Sequence, residues 1–158
     1  MIAIGVDVGG TKIAAAAVKR DSSRSASRVL PSPKDGGELL ERGADVGTEV
    51  AEAAGEPVIG VGIGLPSQVE FATGYVSGSA NLDLADVAVP EVLGERLSHP
   101  IVVDNDANVA ALAEQRVGAG AGQPNIVMLT IGTGVGGGVV VDGAVSRGGR
   151  GRGMELGH

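Results

Sequence analysis

Two stretches of this chain share one design, and that design constrains the fold more than any other feature. In the first, an apolar run at residues 2–8 stops at Gly9-Gly10 and resumes at residues 13–18. In the second, a run at 126–131 stops at Gly132-Thr133-Gly134 and resumes at 135–141. Apolar runs of this length flanked by glycine read as strands, and a glycine pair between two of them is a hairpin signal. The 28 glycines in 158 residues far exceed the usual share of about 7%. They gather between apolar runs, which is the pattern of loops shaped by backbone and not of low-complexity sequence.

Between the two hairpins the period changes. Residues 20–37, rich in Ser, Pro and Gly, read as a loop or a weak edge strand around Arg28-Val29-Leu30. Residues 38–54 carry helical spacing, with Leu39, Leu40, Val46 and Val50 on one face. A buried strand is expected at 58–64, ended by Pro66, then a small hairpin within 69–80, a short helix at 91–97 and a strand at 101–103. A helix at 107–116 follows, with Asp106 placed to cap it. The class is α/β, and the length suffices for a real core.

Composition removes several functions. A net charge of −7 argues against nucleic acid, whose binding needs clustered Lys and Arg to neutralise phosphates. One Phe, one Tyr and no Trp deny a ligand site the aromatic platforms that stack bases or sugars, so a ligand has to be held mainly through its polar groups. The first 17 residues are too short and too glycine-interrupted for a membrane helix and lack a signal-peptide pattern, so the expected location is the cytoplasm with no membrane partner. The absence of cysteine excludes a disulfide framework within the chain.

The glycine clusters carry the clearest chemistry. Asp7-Val8-Gly9-Gly10-Thr11-Lys12 puts a carboxylate at a strand end, then bare backbone, a hydroxyl and an ammonium. Such a turn can wrap N–H groups around phosphate oxygens while Asp7 holds Mg²⁺ directly or through water. Leu129-Thr130-Ile131-Gly132-Thr133-Gly134-Val135-Gly136-Gly137-Gly138 repeats the plan. Neither run fits the G-x-x-x-x-G-K-[ST] spacing of a P-loop. Neither opens a helix, as a dinucleotide-binding loop would. Two roles stand open for Asp106 at its strand-to-helix junction: helix cap, or a base that takes the proton from a hydroxyl being phosphorylated. Asn105 beside it can donate and accept, and suits a sugar hydroxyl or a turn.

In their order and separations these motifs resemble the ROK family (repressors, open reading frames, kinases), and within it the glucokinases. The resemblance covers nearly the whole chain. Asp7 to Lys12, with Gly5 and Val6 leading in, looks like the first phosphate loop. Asp104-Asn105-Asp106-Ala107-Asn108 looks like the catalytic segment, and 129–138 like the second phosphate loop, with Gly132, Thr133, Gly134, Val135, Gly136, Gly137 and Gly138 at the nucleotide. Glu155-Leu156-Gly157-His158 looks like the start of the sugar and zinc signature, and Ser79-Ala80-Asn81-Leu82-Asp83 is similar to glucokinases around a sugar-binding Asn81.

The resemblance implies an actin-like ATPase (ribonuclease H-like) fold, with residues 1–105 as the N-terminal lobe and 106–158 as the truncated start of the C-terminal lobe. It implies ATP-dependent phosphorylation of a hexose, glucose to glucose 6-phosphate first, with ATP·Mg²⁺ at the two glycine loops and Asp106 as base. Asn81, Asn105, Asp106, Glu155 and His158 would bind the sugar. His158 would also ligate a structural zinc in the full-length parent together with three cysteines, none of which this chain has. The parent is expected to be a dimer or tetramer of identical subunits, with sugar and ATP as its small-molecule partners. Met154, where the family has a small residue, bears on the sugar preference, and a polyphosphate donor stays open. Two other readings remain: a sugar-responsive ROK regulator, which calls for a helix-turn-helix region before Asp7, and an inactive fragment, since half a cleft cannot align donor and acceptor.

Overall fold

A computed structural model describes residues 1–79, 82–131 and 135–148. The chain divides into two compact units, Met1–Asp104 and Asn105–His158. The first is built on a five-stranded sheet. Strands β1 (Ile2–Val8) and β2 (Lys12–Lys19) form the expected antiparallel hairpin, with Val8 opposite Ile13 and Ile2 opposite Lys19. Strand β3 (Arg24–Pro31) adds an antiparallel edge outside β2, so the polar stretch read as loop or weak strand is a full edge strand.

Helix α1 (Gly36–Ala54) then crosses the sheet and returns the chain to β4 (Val58–Leu65), which runs parallel to β1 on its other side. The Asp35 side chain caps α1 by accepting from the Glu38 N–H at 2.9 Å, and Gly55 ends it at φ 64°, donating to the Ala51 and Glu52 carbonyls. Removing the cap with Asp35→Ala should lower the unfolding free energy by about 1 kcal/mol in urea titration.

The buried face of α1 holds Leu39, Leu40, Val46 and Val50 as the periodicity requires, and also Gly43 and Gly47. These two glycines, one helical turn apart, let the helix lie close on β1. A Cβ at Gly43 would stand 3.1 Å from Val8 Cγ2, and one at Gly47 3.3 Å from Val6 Cγ2. Ile2, Ile4, Val6, Val8 and Ile13 fill the core beneath.

Strands β5 (Gln68–Glu70), β6 (Tyr75–Gly78) and β7 (Val87–Ala88) make a small antiparallel sheet, and α2 (Val89–Leu97) leads into β8 (Ile101–Asn105) at the far edge of the main sheet. The order of that sheet is β3-β2-β1-β4-β8.

In the second unit, α3 (Asp106–Val117) packs on a three-stranded antiparallel sheet of β9 (Ile126–Ile131), β10 (Val135–Val141) and β11 (Ala144–Val145). Met128, opposite Gly138, and Thr130, opposite Gly136, set the β9–β10 register. Val127, Leu129 and Ile131 are exposed along β9. No helix among the described residues is long and apolar enough to cross a membrane.

Candidate active site

The carboxyl ends of β1 and β8 carry the candidate residues. Asp7 is exposed near the end of β1, opposite Ala14 on β2 and Gly64 on β4. Beyond it the chain turns through Gly9, Gly10 and Thr11, with the Gly9 N–H donating to the Lys12 carbonyl at 3.0 Å. Gly9 does not adopt a positive φ; its lack of a side chain matters for space, since a Cβ would lie 3.1 Å from the Lys12 carbonyl oxygen. Gly10, Thr11 and Lys12 are exposed. Small side chains, an exposed hydroxyl and ammonium, and a carboxylate two residues before the turn suit an anionic ligand with its divalent cation.

Ser32 was not anticipated from the sequence, and it holds this turn from outside. Its hydroxyl donates to the Gly9 carbonyl and its N–H donates to the Thr11 carbonyl at 3.1 Å. The only signal for it was a Ser among prolines just past the edge strand. Ser32→Ala should cost about 1 kcal/mol of stability and speed hydrogen exchange at Thr11 and Lys12, a pattern that amide exchange would reveal.

Ser79 plays a comparable part nearby. Its hydroxyl donates to the Pro66 carbonyl at 2.8 Å and accepts from the Leu82 N–H at 3.2 Å, tying the end of β4 to the segment that carries Asn81. Asn81 itself lies outside the described residues, as do Gly132, Thr133, Gly134, Glu155 and His158.

The junction of β8 and α3 departs from expectation in an instructive way. Asn105, and not Asp106, is the cap: its side-chain oxygen accepts from the N–H groups of Ala107 at 3.0 Å and Asn108 at 3.2 Å. Its backbone is extended at φ −62° and ψ 140°, as a cap residue requires. Asp106 becomes the first residue of the helix, half-buried, with Oδ1 accepting from the Ala107 N–H at 2.7 Å. Burial raises its pKa above the ordinary aspartate value, against the lowering effect of that N–H. A half-buried carboxylate of raised pKa at the C-terminal edge of a strand has the chemistry to accept a proton.

In the second glycine cluster, Val135, Gly136, Gly137 and Gly138 lie on β10, the strand expected at 135–141, and Gly137 and Gly138 are buried. A Cβ at Gly138 would come within 2.6 Å of both the Ala107 carbonyl oxygen and Ala111 Cβ, so this glycine admits the helix. At Gly138 the missing side chain therefore has a packing role, toward the first turn of α3.

This chain by itself does not supply the donors of a structural zinc site. The chain has no cysteine, and His158 supplies one ligand at most, where a structural zinc site needs four. A cavity of about 360 Å³ in the first unit is lined by Ile4, Gly47, Ala51, Val61, Leu97 and His99 among others, and includes none of the candidate residues.

Comparison with known proteins identifies the family and the fold. The ROK family model matches residues 3–158. The glucokinase of Halalkalibacterium halodurans is 37% identical over 166 aligned positions, covering 98% of this chain and 48% of that protein. The crystal structure of a ROK family glucokinase from Streptomyces griseus, in complex with glucose and AMPPNP, superposes with a TM-score of 0.93 at 34% identity and covers 100% of this chain and 50% of that one. A putative xylose repressor of Caldicellulosiruptor sp. is 35% identical over 101 residues, 64% of this chain and 25% of that protein. The chain spans about half the length of the glucokinases it matches. It belongs to the ROK family and has the actin-like ATPase fold of that family.

Proposed function

We propose that the full-length parent of this chain is an ATP-dependent hexose kinase that phosphorylates glucose at its 6-hydroxyl, with Asp106 as the base. The observation that supports the reading is the environment of Asp106: half-buried, raised in pKa by that burial, and sharing the first N–H groups of α3 with the cap residue Asn105. The likeness to a glucokinase holding glucose and AMPPNP supports both substrates.

In this reading the turn at Gly9–Thr11 offers backbone N–H groups to the phosphates, Lys12 adds positive charge, and Asp7 holds Mg²⁺ directly or through water. Held there, magnesium would supply charge neutralisation at the phosphate oxygens. Asp106 accepts the proton of the 6-hydroxyl as that oxygen bonds to the γ-phosphorus and the bond from phosphorus to the β–γ bridging oxygen breaks, releasing ADP. The hydroxyl becomes strongly acidic only late in that step, so a carboxylate of modestly raised pKa suffices as base. Asn105, Asn81, Glu155 and His158 are proposed to bind sugar hydroxyls, in a cytoplasmic enzyme that assembles as a dimer or tetramer.

The regulator reading rests on the xylose repressor match. Steady-state assays of the parent with ATP or polyphosphate against glucose, N-acetylmannosamine, fructose and allose separate the two. Sugar-dependent ADP release with glucose preferred supports the kinase. Sugar binding without turnover of any donor supports the regulator.

A further inference from the structure

We propose that Asn105 and Gly138 are positioning residues for Asp106: the side-chain oxygen of one and the missing side chain of the other hold the first turn of α3, so that the Asp106 carboxylate engages one N–H group of that turn and not two. The inference rests on the kinase reading of Asp106 and adds to it what keeps that group available.

The first turn of any helix leaves N–H groups in need of acceptors. Here two neighbouring side chains compete for one of them. The Ala107 N–H lies 3.0 Å from Asn105 Oδ1 and 2.7 Å from Asp106 Oδ1, while the Asn108 N–H is satisfied by Asn105 alone of the two. Remove the Asn105 oxygen and the nearest acceptor for the exposed N–H groups is the Asp106 carboxylate. An anion drawn into that position is stabilised by the helix N-terminus, which weakens it as a base.

From the other side the turn rests on β10. The Cβ that Gly138 lacks would meet the Ala107 carbonyl oxygen and Ala111 Cβ, each at 2.6 Å. The first of these is backbone and cannot rotate away, so a side chain at 138 must push the start of α3 off the strand. Gly136 differs, because its nearest obstacle is the Thr130 side-chain oxygen, which can turn aside. Gly138 stands opposite Met128, three residues into the strand, where contact with a ligand at the hairpin turn does not explain a glycine.

The test compares Asn105→Ala, Asn105→Ser and Gly138→Ala. In the full-length parent, kcat and KM are measured across pH; in the present chain, carboxyl NMR follows the Asp106 titration and amide exchange follows Ala107 and Asn108. Asn105→Ala is expected to lower kcat on the order of tenfold more than Asn105→Ser, because serine retains a capping oxygen and alanine does not. The same variant should move the Asp106 titration, and the acidic limb of the kcat profile, to lower pH, and the serine variant should restore both. Gly138→Ala should lower kcat while leaving KM for ATP unmoved.

Equal rises in sugar KM for both Asn105 variants, with the Asp106 titration unchanged, would make Asn105 a sugar ligand only. A raised ATP KM with intact kcat would return Gly138 to the phosphate loop. If Gly138→Ala does not fold, the Asn105 pair still decides. Failure of the kinase reading looks different: the parent would transfer no phosphoryl group, while the titration and exchange shifts in the present chain would still appear or fail to appear on their own.

Discussion

Replacing Asp106 with Asn in the full-length parent should lower kcat by several orders of magnitude while nucleotide affinity, read by calorimetry, stays near that of the parent. General-base catalysis contributes roughly 10²–10⁴, and the variant also loses the charge that orients the hydroxyl. The same substitution should raise stability at neutral pH, and the sign follows from linkage. Burial raises the folded pKa of Asp106 above its unfolded value. Between those two values the folded chain holds the proton and the unfolded chain does not, so the contribution of this group to stability falls as pH climbs from below the ordinary aspartate value through the folded one. At pH 7 the wild-type chain bears that cost in full and Asp106→Asn does not. A melting comparison at pH 4 and pH 7 should show the gain of the variant growing with pH. A variant that keeps normal turnover, or whose gain shrinks with pH, would contradict the role assigned to this carboxyl.

Gly36→Ala should be the most damaging small substitution among the described residues of the first unit. A Cβ there would lie 1.8 Å from the Asp83 carbonyl oxygen and 2.7 Å from its carbon, so α1 or the 82–84 backbone has to move. Overpacking against atoms that cannot rotate away costs roughly 3 kcal/mol, or about 10 °C in Tm for a chain of this size. Gly94→Ala provides the contrast. Gly94 sits in α2 with nothing within 4 Å of a Cβ, and alanine there should stabilise by up to about 1 kcal/mol through helix propensity. Thermal melts of the two variants should therefore move in opposite directions.

Much of this fold was legible because its hairpins announce themselves. Apolar runs around Gly9-Gly10 and around 132–134 leave few alternatives to paired strands, and both pairs form. The α1 face was readable from Leu39, Leu40, Val46 and Val50, but Gly43 and Gly47 were not. A glycine in a helix signals only a weakened propensity until the neighbour it admits, here β1, is known. Strand β3 was half seen because it is an edge with most of its residues exposed, so no alternation marks it.

The cap of α3 was not legible in the sequence, for a reason of chemistry. Asn and Asp cap helices about equally well, and Asn105-Asp106 puts both at the junction, so only the backbone could decide between them. The same limit applies to Gly138. Glycines beside a ligand and glycines that admit a helix look the same in sequence, and only the position of α3 shows that Gly138 has the packing role.

The central claim is that the parent transfers a phosphoryl group to a hexose hydroxyl, and phosphorus NMR of the full-length parent with ATP, magnesium and glucose tests it most directly. The account predicts that glucose 6-phosphate and ADP accumulate in equal amounts. Glucose bound but unchanged, or ATP hydrolysed to inorganic phosphate without a sugar ester, would contradict it.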